Sequence, residues 1–258
     1  MHSKIILVCS ASESKSAAQT GLPQLRFGLG LTSNGTLSRT IAQTHSAKDI
    51  LCLSDFGITA PVLPDTIRQL MEEAKTYSGI FVDIERKNIY IDEFMRSLGD
   101  SCKAADLPLF IPISHHAYAS DAWVLAPGAA SGGNLQEELE RGMSYFNGHL
   151  AVSLQPVCRR FYLPSDDPDG ESLTGEELSA ALLKTGAHSF FSRELCLNYF
   201  TYMDNTTGVF VIYDTEETLR MRLDLMQKIG IPYIFAEWNG CEKILGSSGG
   251  NIGGFGAD

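Results

Sequence analysis

The segment Gly79-Ile80-Phe81-Val82-Asp83-Ile84-Glu85 stands between two stretches of helical periodicity, and this order restricts the fold more than any other feature. Ahead of it, Ile67, Leu70, Met71, Ala74 and Tyr77 recur at helical spacing behind Pro64-Asp65. Behind it, Phe94, Met95, Leu98, Cys102 and Ala105 mark a second helix. A strand between helices belongs to a parallel sheet covered by helices, normally apolar on both faces. Alternation puts Phe81, Asp83 and Glu85 on one face and Ile80, Val82 and Ile84 on the other. Two carboxylates side by side are poor packing groups. They suit the C-terminal end of a strand, where catalytic groups sit in a closed (β/α) barrel. The same residues also read as a solvated loop after a shorter strand.

Further strands are expected at Lys4 to Cys9, Asp49 to Ser54, Pro108 to Ser114, Leu150 to Gln155 and Pro232 to Trp238. Trp123-Val-Leu-Ala-Pro leads into a turn at Ser131-Gly-Gly, and Asn134 can cap the helix that follows. Thr174-Gly-Glu-Glu177 has capping-box spacing, and Thr215 and Gly230 bound the last long helix. Leu195 to Met203, the turn Asp204-Asn-Thr-Thr-Gly208 and Val209 to Tyr213 predict a β-hairpin. About seven strand candidates leave a barrel one short, so the missing strand must lie in residues 24 to 45, at Leu25 to Leu31 or Thr40 to Gln43. A length of 258 residues suits one barrel, typically about 250 residues, or two smaller domains. The expectation is a single (β/α)8 TIM barrel over residues 1–245. It has an irregular N-terminal part, a β-hairpin inserted before the last helix, and a glycine-rich flexible tail over 246–258.

A formal charge of −11 disfavours nucleic acid as a partner, because phosphate contacts require Lys and Arg. None of the six cysteines forms a C-x-x-C pair, so zinc-knuckle and redox motifs are not indicated, and no metal or cofactor is expected. The even count permits disulfides without showing them. The apolar run Ile5-Ile-Leu-Val is too short for a secretory core, and no run approaches the roughly 20 residues of a membrane helix. A cytoplasmic protein without a membrane partner is expected.

At Gly79 to Glu85 the chain resembles glycoside hydrolase family 18, the chitinases and endo-β-N-acetylglucosaminidases, whose fourth strand carries D-x-x-D-x-D-x-E. Here those key points are Ser78, Phe81, Asp83 and Glu85, so the last two acids match and the first two do not. Tyr213-Asp214, a helix, Gly230 and a strand ending near Trp238 look like the family's final Tyr-Asp, helix, eighth strand and tryptophan. The resemblance implies that Glu85 is the general acid, Asp83 orients the substrate's acetamide, and the N-acetyl oxygen is the nucleophile, so that no second catalytic carboxylate is needed. It implies an N-acetylhexosamine oligosaccharide as partner. The family's sixth strand usually brings a tyrosine to the acetamide; the strand read here as the sixth is Val152-Ser-Leu-Gln155-Pro, with Gln155 as its only candidate. Tyr162, Tyr199 or Tyr202 would have to substitute from a loop. The losses at Ser78 and Phe81 leave open a weakened chitinase-like protein that binds carbohydrate with little turnover.

Other residues carry two readings each. Trp238 is a sugar-stacking floor or a core tryptophan. Asp55 faces the cleft or caps the turn at Gly57. His115-His116 are ligands or a polar loop. Arg193 and Glu194 are a cleft pair or an exposed hairpin pair. Ser10 and Ser12 lack the Gly-x-Ser-x-Gly context of a serine hydrolase. Asp83 and Glu85 acting as metal ligands is a third functional reading.

Overall fold

A computed structural model describes residues 3–39, 44–130, 132–167 and 169–246. Its first half runs β1 (Lys4–Val8), α1 (Ser14–Ala17), β2 (Leu25–Leu31), β3 (Leu37–Arg39), β4 (Ile50–Asp55), α2 (Pro64–Ala74), β5 (Ile80–Asp83), α3 (Ile89–Ala104) and β6 (Leu109–Pro112). The second half runs β7 (Trp123–Pro127), α4 (Leu135–Tyr145), β8 (Leu150–Leu154), β9 (Cys158–Leu163), β10 (Glu171–Ser172), α5 (Gly175–Thr185), β11 (Phe190–Ser192), β12 (Leu197–Asp204), β13 (Thr207–Tyr213), α6 (Glu216–Ile229), β14 (Tyr233–Glu237) and α7 (Trp238–Gly246).

Eight strands pair in parallel in the order β1-β14-β8-β7-β6-β5-β4-β2, and β3 adds antiparallel to β2. The ring closes where Leu7 bridges Gln24 and the Leu7 N–H donates to the Pro23 carbonyl at 2.8 Å. This is the (β/α)8 barrel architecture, with one weak seam. The strand sought in residues 24 to 45 is β2; the alternative at Thr40 to Gln43 lies outside the described residues, as do Ser131 of the predicted turn and residues 247–258 of the glycine-rich tail. The outer ring is irregular. A hairpin follows β2, and a 3-10 helix at Ile113–Tyr118 follows β6.

One expectation is corrected. Trp123–Pro127 pairs with both β6 and β8, so it is the sixth barrel strand, and Leu150–Leu154 is the seventh. The run was too short and too interrupted by Ala-Pro to read as a buried strand; its pairing partners decide it. The expected hairpin exists as β12 and β13, inside a larger insertion. β10-β9-β13-β12-β11 form a five-stranded antiparallel sheet between β8 and α6, and α5 covers one face of it.

Three apolar layers follow from strand alternation. Ile6, Leu25, Ile50, Phe81, Phe110 and Phe235 fill the barrel interior. Two larger clusters lie between strands and helices, one around Leu7, Val152 and Met226, the other around Leu53, Val82 and Leu98. The helix caps behave as the sequence predicts. Asn134 accepts from the Glu137 N–H, and Thr174 and Thr215 make reciprocal capping boxes. All six cysteines are free. Among the described residues no helix is long and apolar enough to cross a membrane.

Candidate active site

The C-terminal mouth of the barrel is built on an aromatic floor. Phe81 of β5 and Phe235 of β14 meet with ring centroids 5.0 Å apart, although four strand positions separate β5 and β14 around the ring. Phe110 lies against both Phe235 and Tyr233. An eight-stranded interior is just wide enough for such side chains to fill it. Two residues further along each strand, on the same inward face, stand Asp83 and Glu237. Alternation therefore puts both carboxylates on the mouth side of these rings.

The expected strand Gly79–Glu85 is shorter than drawn. β5 ends at Asp83, and Glu85 lies in the loop beyond it. The loop keeps the strand's alternation for two more residues, because Ile84 is buried in the outer layer. Glu85 thus returns to the side of Asp83. Both carboxylates are open to solvent. Partial desolvation first, and then the charge of Glu85, raise the pKa of Asp83 above the ordinary carboxylate range. Ser54 of β4 is the register neighbour of Asp83.

A buried histidine holds this turn. The ring of His115, on the 3-10 helix after β6, is fully buried, and its Nε2 lies 2.8 Å from the Ile84 carbonyl oxygen. A carbonyl only accepts, so Nε2 carries the proton and donates. Nδ1 has no partner among the described residues. Burial lowers the pKa of His115, while the Ile84 bond and the Asp92 charge oppose the shift. His115 is buried rather than part of a solvated loop, and it ties down the peptide between the two acids. Its partner His116 packs edge-on against Phe146.

On β14, burial and the charge of Glu13 push the pKa of Glu237 up. Glu13 itself is lowered by hydrogen bonds from the Ser10 hydroxyl and N–H, which gives Ser10 a structural task at the end of β1. Gln155 is exposed just past β8. With Pro127, Gly128, Arg159 and Phe161 it lines a cleft of about 330 Å³ between the barrel rim and the inserted sheet. The rim is fastened from beneath by Arg222, which is fully buried on α6. Its guanidinium donates to the Gly128 carbonyl at 2.7 Å and the Gln155 carbonyl at 2.8 Å, and pairs with Asp214. Burial raises the Asp214 carboxyl, and Arg222, the Val157 N–H and the Thr218 hydroxyl pull it back.

The remaining expected site residues take these places. Asp55 accepts from the Gly57 and Ile58 N–H groups at 2.6 and 2.8 Å, so it caps the turn. Tyr202 is on the face of the inserted sheet that α5 covers. Trp238 packs against the layer between strands and helices. Arg193 and Glu194 are exposed at the β11–β12 turn. Glu237 and Ser54 were not foreseen, and His115 was singled out by its place after a strand but not as a tie to the Ile84 carbonyl. For Glu237 the available signal was its spacing of two from Phe235 at the end of an apolar strand. A second cavity, of about 450 Å³, opens at the opposite end of the barrel beside Trp123, His149 and Tyr233. Among the described residues no group of three His, Cys, Asp or Glu is placed to share a metal ion.

No family model matches the chain, and no curated protein matches it in sequence. Solved structures match its fold. A chitinase from Chromobacterium violaceum superposes with a TM-score of 0.57 at 14% identity, covering 91% of this chain and 94% of its own. A class V chitinase from Pseudomonas fluorescens gives 0.59 at 14% identity, covering 95% and 99%. The spore cortex-lytic enzyme SleL of Bacillus megaterium gives 0.62 at 10% identity, covering 92% of this chain and 70% of its own. At these identities the likeness is one of fold.

Proposed function

We propose that the protein is a glycoside hydrolase acting on β-linked N-acetylhexosamine glycans by substrate-assisted, retaining catalysis. The observation that carries this is the inward-facing Asp83, with Glu85 beside it, at the C-terminal end of the fourth strand of a chitinase-like barrel. In this reading Glu85 protonates the glycosidic oxygen as the acetamide oxygen of the same sugar attacks the anomeric carbon. The bond to the leaving sugar breaks, and an oxazolinium ion forms. Asp83 orients the acetamide N–H and balances the positive charge. A water molecule then opens the ring, giving its proton to Glu85. His115 holds the peptide between the two acids, which keeps their spacing fixed. Gln155 at the rim supplies a hydrogen bond to a sugar hydroxyl. No tyrosine lies on β7 or β8, so the acetamide carbonyl lacks the partner expected from the resemblance.

The test is hydrolysis of an aryl chito-oligosaccharide. Glu85→Gln is expected to lose about 10²–10⁴-fold in kcat, the usual contribution of a general acid. An unchanged rate refutes the assignment. Calorimetric binding of chito-oligosaccharides without product from the wild type would instead identify a carbohydrate-binding barrel. Glu237 favours a second reading, a two-carboxylate mechanism, because it ends another barrel strand on the same inward alternation as Asp83 and burial raises its pKa. Hydrolysis of a substrate whose acetamide is replaced by a hydroxyl would select that mechanism.

A further inference from the structure

The connection from β6 to β7 is a six-residue 3-10 helix and the link 119–122, in place of a full barrel helix. Beside it, at the start of β7, opens the cavity of about 450 Å³. Its inner wall is aromatic. Trp123 begins β7, His149 precedes β8 and Tyr233 begins β14. Trp123 meets His149 with centroids 4.9 Å apart and planes at 76°, and Tyr233 at 4.6 Å and 70°, so the three rings form a corner. Lys4 lies over the Tyr233 ring, 5.5 Å from its centroid. The rim is acidic. Asp100, Asp106 and Asp121 line it, and among the described residues there Lys103 is the one Lys or Arg, bound to Asp121 at 2.8 Å. The 16-residue helix α3 ends at this rim, and its negative pole adds to the carboxylates. Asp106 is poorly placed for stability on two counts. It follows the C-terminus of that helix, where a negative charge is unfavourable. Its φ of +51° is a left-handed conformation that glycine adopts more readily. Among the described residues no ion pair offsets this.

We infer that this cavity is a second binding site, taking a small organic ammonium ion whose charge meets the ring corner and the carboxylate rim. It lies at the other end of the barrel from the mouth and does not depend on the proposed function. The rings supply cation–π faces, and the carboxylates supply the countercharge. An anion is opposed by three carboxylates and by the helix pole. A metal ion is disfavoured, because among the described residues no three His, Cys, Asp or Glu groups are placed to share one. An organic cation needs no such shared point, since it takes contacts from ring faces and from acids spaced along the rim. A carboxylate set against both the helix pole and the backbone, at the edge of an aromatic cavity, is the local conflict expected where binding rather than folding selects the residue.

The experiment uses the full chain at pH 8 and constant ionic strength. Tetramethylammonium chloride is titrated by calorimetry and by tryptophan fluorescence, with tert-butanol as an uncharged probe of similar shape. The wild type should bind tetramethylammonium saturably, with a change in tryptophan emission, and tert-butanol about fivefold more weakly. Asp106→Gly suits the left-handed backbone and Asp106→Asn keeps the side chain's shape, so both should fold, with melting curves as the control. Each should bind tetramethylammonium about fivefold more weakly than the wild type. Trp123→Phe keeps a ring in the barrel and should abolish the emission change, because the remaining tryptophan, Trp238, lies past the other end of β14. No saturable binding by the wild type overturns the site. So does equal binding of tert-butanol, an undiminished affinity in both Asp106 variants, or an emission change that survives in Trp123→Phe.

Discussion

Replacing Arg222 by Met removes the guanidinium that joins three segments of chain, and its cost can be worked from the contacts. Arg222 is fully buried and donates to two carbonyls as well as to Asp214. Met fills most of the vacated volume, so the cavity penalty is small. The Gln155 carbonyl borders the open cleft, so water can replace the guanidinium there at little cost, whereas the buried Gly128 carbonyl loses its donor at about 1–3 kcal/mol. The larger part is Asp214, deeply buried and left with the Val157 N–H and the Thr218 hydroxyl as donors. Stranding one member of a buried pair costs about 3–5 kcal/mol. For a chain of this size that is a fall in Tm of roughly 6–20 °C. Urea denaturation followed by circular dichroism measures it, and an unchanged m-value confirms that the native state was not loosened. Adding Asp214→Leu to the variant removes the stranded charge and should restore at least half of the loss. A loss below about 1 kcal/mol for Arg222→Met, or no recovery in the double variant, refutes the argument that the unpaired carboxylate dominates.

Three further outcomes are expected. Because burial holds the folded-state pKa of His115 below 6.5, its stabilising contribution is complete above about pH 6.5 and is lost as pH falls below that value. The stability difference between wild type and His115→Asn, measured by urea midpoint, should therefore be larger at pH 8 than at pH 5; an equal difference would show that the ring does not titrate with unfolding. Asp83 has a raised pKa, so its ionisation opposes folding, and Asp83→Asn should raise stability above the carboxylate range while lowering glycoside hydrolysis, as a pH series of melting curves and rates would show. A Cβ on Gly128 would lie 2.1 Å from the Ser153 carbonyl oxygen, whereas one on Gly132 meets nothing within 4 Å. Gly128→Ala should cost about 1–3 kcal/mol and Gly132→Ala close to none, and equal melting temperatures would refute the clash.

The sequence by itself determined the alternation of strands and helices, the caps at Asn134, Thr174 and Thr215, and the position of Asp83 and Glu85 at and just past the end of a strand. Each of these is local: periodicity, capping chemistry and a spacing of two act over a few residues. Trp123–Pro127 was not legible as a barrel strand, because a short run with Ala and Pro becomes a strand only when two neighbours supply its ladder. The hairpin visible in the pattern, with Ser189-Phe-Phe strand-like beside it, became a five-stranded sheet, since the Arg-bearing β9 and the two-residue β10 become strands only against their partners. Glu237 on the mouth side with Asp83, His115 against Ile84 and Arg222 beneath Gly128 and Gln155 join residues about 30 to 150 positions apart. Closure of the ring decides such pairings, because hydrogen bonds and ring contacts act over a few ångströms of space and carry no trace of themselves in chain order.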